Sequence, residues 1–456
     1  MTAERVEALG DADGPQGLPD IAERVLALSP EGDTEVLLVD ADTALTRFAN
    51  SQVHQNVAER RLSVRVRVIL DGRTGVAGTD QLGDDDLREV VDRAVAAARQ
   101  SQPREGLRLA PPVTVEAPTA DPATAEATPD QRADAVEAIC RQATARGVDA
   151  FGAYSTGVTT YAIANSNGLF LSAPRTIASL QVATIAGEGH GFAARAASRI
   201  ADIDGAAAGE EAIDKAVRTR HAEAIEPGDY PVVLEPYAVA ELVEYLSYIG
   251  FSGLSVEEGR TFMRLGEPVT GPAVDIWDDG NDPAGLPMPF DFEGVAKRRV
   301  DLVEGGVATG VVHDVASAAR AGTESTGHGL PAPNPSGAWA TNLFMGAGVA
   351  ASATELARGI ERGVWVTRFW YVNILHPRKS LLTGMTRDGT FLIEDGEVTR
   401  PIKNMRFTQS VMDAFATTRG LTATRQVVVG SDYDYTVGLT VPAMQLERFN
   451  FTSVTR

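Results

Sequence analysis

Two carboxylates one helical turn apart are the most direct candidates for catalytic chemistry in this sequence. Glu241 and Glu244 lie in the segment AVAELVEYL, whose valines and leucines recur at helical spacing. Paired carboxylates of this kind can act as general acid and general base. Helical phase puts both on the face opposite the apolar stripe, so a solvated helix face is the simpler prediction for them.

A histidine between glycines is the second candidate, in residues 325–329 (STGHG). Glycines let the backbone approach a ligand closely, so Gly327, His328 and Gly329 are candidates for contact with one. A plain flexible loop explains the same pattern equally well. The chain has six histidines, none of them in the spacing H-E-x-x-H, and we expect a surface or hydrogen-bonded role for each.

Known nucleotide-binding and hydrolase motifs are either absent from the sequence or lack the structural context that they need. Residues 346–351 (GAGVAA) fit G-x-G-x-x-A, but the region that should supply a ribose-binding acid contains Phe369, Trp370 and Tyr371 instead. We therefore interpret this segment as a loop. The sequence contains neither G-x-x-x-x-G-K-[ST] nor G-x-S-x-G.

The elements around these residues centre on one strand and the helix that follows it. Residues 231–234 form a short apolar run typical of a buried strand, and Glu235 and Pro236 then begin a helix that ends near Gly250. Proline suits the first helical position because its missing N–H has no partner there. A strand that leads into a helix is a common support for an active site.

Composition excludes several classes of protein. The net charge of −21 and the pI near 4.8 disfavour binding to nucleic acid and to anionic membrane. We find no signal peptide and no apolar run long enough to span a membrane, and we expect a cytoplasmic protein. Cys140 is the only cysteine, so no intramolecular disulfide forms, and we expect it to be buried.

The pattern of elements predicts an α+β protein. We expect a loose N-terminus over 1–18, an N-terminal α+β domain over 19–228 with a linker near 101–128, and a mainly antiparallel β-rich domain over 229–456. In the N-terminal domain the order helix, antiparallel strands, helix occurs twice. Ser51 in RFANS and Ser166 in IANSN suggest that this domain arose by internal duplication.

The sequence also predicts the limits of individual strands and the positions of two hairpin turns. Strands are predicted at 35–40 and 45–50, joined at Asp42 and Thr43, and at 151–158 and 160–165. Asp388-Gly389 and Asp395-Gly396 are predicted as hairpin turns.

Several short stretches occur in an order that indicates a family. They are residues 47–51 (RFANS), 164–168 (ANSNG), 259–261 (GRT), 325–329 (STGHG), 359–363 (GIERG) and 402–407 (IKNMRF). In this order they make the chain resemble the TldD/PmbA (TldD/TldE) family of proposed gyrase modulators, now understood as metalloproteases. The resemblance extends from about residue 21 to the C-terminus.

The resemblance also indicates which subunit type this is. TldD-type members carry H-E-x-x-x-H on the helix after the strand, where two imidazoles bind zinc and the glutamate is the general base, and a cysteine near the C-terminus completes the ligands. Here Glu235, Pro236 and Ala240 occupy the three motif positions, and residues 427–431 contain no cysteine. The departure resembles the PmbA/TldE type, which implies no catalytic residue and no metal in this chain.

A PmbA/TldE-like protein is expected to pair with a TldD-like catalytic subunit that holds the zinc. Together they would enclose a channel in which an unfolded or modified peptide binds as an added β-strand. Glu241, Glu244, Gly327, His328 and Gly329 are candidates to line that channel. Two alternatives stay open: a stand-alone peptidase or hydrolase using Glu241, Glu244 and His328, or a peptide-binding regulatory protein without proteolytic activity.

Overall fold

The computed structural model describes residues 14–29, 31–430 and 436–455. Its N-terminal half is a six-stranded antiparallel sheet in the order β3-β2-β1-β4-β5-β6. The first unit comprises α1 (Gly14–Leu28), β1 (Asp33–Ala49), β2 (Gln52–Leu70), β3 (Arg73–Thr79) and α2 (Asp84–Gln100). The second comprises α4 (Pro129–Ala145), β4 (Asp149–Asn165), β5 (Phe170–Ala186), β6 (Gly189–Ala197) and α5 (Gly205–Arg218).

The two faces of this sheet have different neighbours. Side chains alternate along a strand, so Val36 and Leu38 of β1 pack under α1 and α2, while Leu37 points the other way. On that second face Leu37 packs with Met288 and Phe290, which belong to the C-terminal half. One face is therefore covered by helices, and the other borders the C-terminal half and the cavities described below.

The predicted repeat of helix, three antiparallel strands and helix is present in both units. β1 and β4 pair antiparallel at the centre of the sheet, and each is followed by one of the two matched serines. Ser51 Oγ accepts a hydrogen bond from the backbone N–H of Ala150, and Ser166 Oγ accepts one from that of Thr34. Each serine thus ties the end of its own strand to the start of the other, as a duplicated unit requires.

The prediction of short strands broken at Asp42 and Thr43 is wrong, because β1 continues through both residues. Asp42 pairs with Arg60 on one side and with Val158 on the other, so the ladder is unbroken. The same holds for β4, which runs through residue 159. Pairing with a neighbouring strand on each side keeps these polar residues in the extended conformation.

In the described part of the C-terminal half there are an eleven-stranded sheet and five α-helices. The strands are β7 (Gly228–Leu234), β8 (Ile276–Asp278), β9 (Val300–Glu304), β10 (Val307–Ala308), β11 (Asn342–Met345), β12 (Arg362–His376), β13 (Leu381–Glu394), β14 (Glu397–Pro401), β15 (Met405–Ser410), β16 (Thr418–Val429) and β17 (Gly438–Val454). The helices are α6 (Pro236–Ile249), α7 (Gly253–Glu257), α8 (Val315–Ala321), α9 (Ala353–Ala357) and α10 (Val411–Phe415).

Five of these strands close on themselves. The order β17-β15-β13-β12-β7 is completed by pairing of β7 with β17, so these strands form a ring. The sheet is mainly antiparallel, as predicted, but β7 pairs parallel with β12, and β11 pairs parallel with β17. Helix α6 follows β7 directly and packs against β12, β16 and β17.

One of the two predicted hairpin turns is wrong. Asp395-Gly396 connects β13 to β14 with positive φ at both residues, as a two-residue hairpin requires. Asp388-Gly389 instead lies inside β13, which continues from Leu381 to Glu394. The pairing with β12 shifts register beside it, so the positive φ of Asp388 and Gly389 accommodates a bulge in the strand.

The segment between α2 and α4, which was predicted as a linker, contains few regular elements. Between α2 and α4 the only helix is α3 (Pro122–Ala125), and Cys140 is buried on α4. The predicted loose N-terminus falls mostly outside the described residues, and α1 begins at Gly14. A strand predicted from Tyr433 also begins outside them. Within the described ranges, none of the helices has the length and apolar character that a membrane span needs.

Candidate functional site

Glu235 occupies the junction between β7 and α6, where the resemblance places a zinc-binding imidazole. It is the N-cap residue of α6, but its side chain does not cap the helix. Its carboxylate lies 2.6 Å from Lys215 Nζ and accepts hydrogen bonds from Trp365 Nε1 at 2.6 Å and Thr367 Oγ1 at 2.9 Å. The carboxylate is therefore buried and neutralised, and both of its oxygens accept hydrogen bonds from the protein.

Lys215 extends this contact into a network. Its ammonium also lies 2.8 Å from Glu211 Oε1, and Glu211 in turn binds Arg195 at 2.7 Å. Glu211 further accepts a hydrogen bond of 3.1 Å from the Tyr237 hydroxyl. Burial alone would lower the pKa of Lys215, but attraction to Glu235 and Glu211 raises it above the ordinary value. Lys215 is thus a permanent cation at this position.

These residues do not fit a zinc ion. Pro236 has no ligand atom, Ala240 presents a methyl group, and the single carboxylate at Glu235 is already paired with an ammonium. In the part of the chain that the structure describes, no three histidine, cysteine, aspartate or glutamate side chains cluster as a metal would require.

A cavity of about 680 Å³ opens beside this network. Its walls are formed by β5 and β6 of the N-terminal sheet and by α6, β12, β16 and the start of β17 of the C-terminal half. Helix α6 contributes Tyr237, Ala240, Glu241 and Glu244, whose spacing of i, i+3, i+4 and i+7 places them on one face. The third position of the degenerate motif, Ala240, therefore lies directly on the cavity wall.

Glu241 and Glu244 are not on a solvated face, contrary to the simpler prediction from helical phase. The side of α6 opposite its apolar stripe is covered by β6 and β16, so both carboxylates line the cavity, and Glu244 is 1% exposed. Burial and the neighbouring Glu244 together raise the pKa of Glu241 to about 7, against the opposing effect of Arg368. At neutral pH Glu241 is poised between its two protonation states.

The arginines of the cavity are already neutralised. Arg195 binds Glu211, and Arg368 Nε donates to Asp388 Oδ2 at 2.7 Å. Asp388 is the bulge residue of β13, and its buried carboxylate is directed at Arg368. Both arginines of the cavity wall are therefore already engaged in ion pairs.

The glycine-flanked histidine does not lie in this cavity. His328 is buried elsewhere, with Nε2 2.7 Å from Asp278 Oδ1, and burial lowers its pKa. Gly327 has a φ of +76°, and a Cβ there would lie 2.6 Å from the carbonyl oxygen of Ala296. A Cβ on Gly329 would contact Glu293. The glycines therefore permit tight packing around His328, and the structure does not bring it together with Glu241 and Glu244.

Sequence reasoning missed the residues that complete the network. Lys215 and Glu211 are separated by four positions on α5, a spacing that usually indicates a surface ion pair. Lys215 is one of only four lysines in the chain, which is the one signal that sets it apart. Arg195 and Arg368 carry no local signal, because strand-borne arginines are common in this sequence.

Glu241→Gln should stabilise the protein at pH 8 and change little at pH 4.5. A carboxyl whose pKa is raised by folding binds more protons in the folded state, so its contribution to stability falls as pH rises from 4.5 toward 7. Removing the charge should raise the free energy of unfolding by about 1–3 kcal/mol at pH 8. Urea unfolding at both pH values measures this, with the exposed Glu89→Gln as control. Equal effects of Glu241→Gln at the two pH values would contradict a buried, titrating carboxyl.

Comparison with known proteins identifies the family. The profiles of the PmbA/TldA metallopeptidase family match in three parts: domain 1 over residues 34–98, the central domain over 118–220 and the C-terminal domain over 227–453. An uncharacterized protein of Methanocaldococcus jannaschii is 29% identical over 181 residues, 39% of this chain and 42% of that protein. A metalloprotease of Methanothermobacter thermautotrophicus is 25% identical over 229 residues, 49% of this chain and 48% of that protein. The alignments thus span under half of these relatives' length.

Solved structures share the whole fold. TldE from Thermococcus kodakarensis superposes with a TM-score of 0.83 at 20% identity, covering 96% of this chain and 100% of that one. A proposed modulator of DNA gyrase from Thermotoga maritima gives 0.82 at 20% identity, covering 95% and 100%. At this identity the likeness shows the fold, while the three profiles together span most of the sequence. The chain therefore belongs to the PmbA/TldA metallopeptidase family.

Proposed function

We propose that this chain is a non-catalytic subunit of the PmbA/TldE type, which pairs with a TldD-type zinc metallopeptidase subunit. The observation that carries the proposal is the ion pair of 2.6 Å between Glu235 and Lys215 at the first motif position. An ammonium in this place repels a divalent cation and occupies the carboxylate that would attract one. Pro236 and Ala240 supply neither a second ligand nor a general base, so the zinc and the cleavage chemistry belong to the partner.

The role proposed for this chain is to hold unfolded or modified peptides for proteolysis. Two strand edges lie at the cavity: β6 is the last strand of the N-terminal sheet, and residues 426–429 of β16 pair, among the described residues, with β17 alone, whereas Thr422 near the start of β16 also bridges to Ala350. The strands are joined by a hydrogen bond of 2.9 Å from Gln426 Nε2 to the carbonyl of Ala194. An extended peptide that pairs with such an edge is held through its main chain, which suits substrates of varied sequence.

A stand-alone hydrolase using Glu241, Glu244 and His328 receives less support. General acid–base catalysis needs its groups within hydrogen-bond reach of the same substrate atoms. His328 is enclosed by Asp278 and Thr326 and does not line the cavity that contains the two glutamates. A peptide-binding protein without a proteolytic partner would use the same cavity, and the experiment below separates it from our proposal.

The proposal is tested by purifying the chain alone and together with a TldD-type subunit encoded in the same genome. We expect the isolated chain to bind no stoichiometric zinc and to cleave no unfolded peptide, because its motif positions lack ligands. The pair should elute as one complex and cleave that peptide. Metal analysis, size-exclusion chromatography and peptide mass spectrometry measure the three properties.

A matched control locates the chemistry. Replacing the glutamate of the partner's H-E-x-x-x-H by glutamine should abolish cleavage without dissociating the complex. Zinc binding and proteolysis by the isolated chain would refute the proposal. Peptide binding without any complex would favour the regulatory alternative.

A further inference from the structure

Arg175 on β5 is a buried cation that has no acidic partner among the described residues. Its side chain lies between the N-terminal sheet and the C-terminal half, and the residue is 7% exposed. It donates hydrogen bonds to two carbonyl oxygens, that of Leu286 at 2.9 Å and that of Thr436 at 3.3 Å, while its Nε has no partner. No described carboxylate forms an ion pair with it. Since buried charges in proteins are normally paired, this guanidinium lacks an anion.

A small pocket next to Arg175 is lined mainly by hydroxyl groups. Its volume is about 240 Å³ and it lies on the sheet face that borders the C-terminal half. We call it the hydroxyl pocket, and it is lined by Thr43, Ser155, Thr159, Tyr161, Arg175 and Ser179 together with Thr436. Strand register explains the arrangement, because Thr159 lies directly opposite Arg175, and Ser155 directly opposite Ser179.

Several of these hydroxyls are available to a ligand. Among the described residues, the side-chain oxygens of Thr43, Thr159, Tyr161 and Ser179 take part in no protein hydrogen bond, and no acidic residue lines the pocket. Arg175 uses two of its five N–H groups. A guanidinium surrounded by hydroxyl donors, without a competing carboxylate, is the composition of a site for an oxyanion.

Arg175 also borders a second cavity, but that one is a poorer place for an anion. It has a volume of about 850 Å³, and its lining includes Arg199 but also the carboxylates of Glu116 and Asp121. These two acids oppose the charge of the two arginines. No carboxylate of the described residues lines the hydroxyl pocket, so the observations favour it.

The hydroxyl pocket adjoins the main cavity. Ser179 and Val429 line both, so the end of a chain held in the cavity of about 680 Å³ would lie beside the pocket. The smaller volume admits a terminal residue rather than a separate large ligand. We propose that the hydroxyl pocket binds the C-terminal carboxylate of a peptide whose preceding residues lie in the main cavity. This inference rests on the proposed function, because it requires that the cavity binds peptides.

The test uses fluorescence polarisation on the full chain with two labelled unfolded peptides of one sequence, one with a free C-terminal carboxylate and one amidated. We expect the free acid to bind about tenfold to hundredfold more tightly, as for a charge-assisted hydrogen-bonded pair. Arg175→Gln should abolish that difference. Arg199→Gln is the matched control, since it removes an arginine from the other cavity, and it should leave the difference unchanged.

A second variant and a competition measurement make the outcome decisive. Tyr161→Phe removes one hydroxyl and no charge, and should lower the preference for the acid about twofold to tenfold even if Arg175→Gln fails to fold.

Equal binding of acid and amide by the wild type would overturn the inference while leaving the proposed function standing. Loss of the preference in Arg199→Gln would also overturn it, because the other cavity would then be the site. Competition by inorganic phosphate without any preference for the acid would assign the pocket to a free oxyanion instead. Failure of both peptides to bind, alone and with the partner, would remove the proposed function together with the inference.

Discussion

Lys215→Met should lower the free energy of unfolding by about 3–5 kcal/mol, as expected when one partner of a buried ion pair is removed. The ammonium lies between the carboxylates of Glu235 and Glu211, and the side chains of Lys215 and Glu235 are 10% and 8% exposed. Without the ammonium, Glu235 retains hydrogen bonds from Trp365 and Thr367, but its charge is left without a counterion. Met preserves the methylene contacts of the lysine side chain, so the expected cost comes from the buried charge that is left without a counterion.

Chemical unfolding at pH 7 measures this effect, with Lys379→Met as the matched control. Lys379 is exposed, and its replacement should change stability by no more than about 0.5 kcal/mol. The double variant Lys215→Met with Glu235→Gln should recover much of the loss, because it removes the unpaired charge as well. A single-variant cost near that of Lys379→Met would show that the network adds nothing to folding, and would weaken its use as evidence against a metal.

The degenerate motif shows what sequence alone can and cannot predict about this site. The substitutions at Glu235, Pro236 and Ala240 are visible in the sequence and already imply the loss of the zinc ligands. The partner of Glu235 is not visible, because Lys215 belongs to another helix and reaches the site only when α5 packs beside β6 and β13. A replacement at a motif position can be predicted locally, whereas the side chain that compensates it depends on tertiary contacts.

Glu241 and Glu244 illustrate the same limit for burial. Their helical phase was predicted correctly, since both lie opposite the apolar face of α6. Phase does not reveal what covers a face, and here the covering strand β6 comes from the N-terminal sheet. The usual association of charged residues with solvent therefore failed at a cavity wall, where buried carboxylates are retained against their desolvation cost.

The fold was more accessible to sequence reasoning than the site. Alternation of apolar residues and recurring turn residues located the strands, and the two matched serines make equivalent contacts at the two ends of the β1–β4 pair. The errors at Asp42 and at Asp388-Gly389 have one physical cause. Residues that favour turns remain inside a strand when partners on both sides, or a bulge, satisfy their backbone groups.

Arg67→Met should also lower the free energy of unfolding by about 3–5 kcal/mol, measured at pH 9. Arg67 on β2 joins the two halves of the chain: it lies 2.6 Å from Glu35 of β1 and 3.1 Å from Glu293, which belongs to a loop of the C-terminal half. All three side chains are nearly or wholly buried. Removing the guanidinium leaves two carboxylates enclosed between the halves without a counterion.

The cost of Arg67→Met should depend on pH in a defined direction. Burial raises the pKa of Glu293 to about 8, although Arg67 opposes this, and loss of the guanidinium will raise it further. Folded carboxyls with raised pKa values bind more protons than unfolded ones, so the variant loses stability as pH rises from about 4.5 through those values. At pH 6 protonation relieves the unpaired charge on Glu293, and the cost should be smaller by about 1–2 kcal/mol.

Urea unfolding of wild type and variant at pH 6 and pH 9 tests both statements. Arg65→Met is the matched control, because Arg65 lies two residues away on the same strand, is exposed, and bonds only the carbonyl of Ala332. Its replacement should change stability by no more than about 0.5 kcal/mol at either pH. If Arg67→Met costs the same at pH 6 and pH 9, the loss comes from packing and not from unpaired charge. A large, pH-dependent cost would instead show that the contact between the halves, on which the cavity depends, is held by this buried cation.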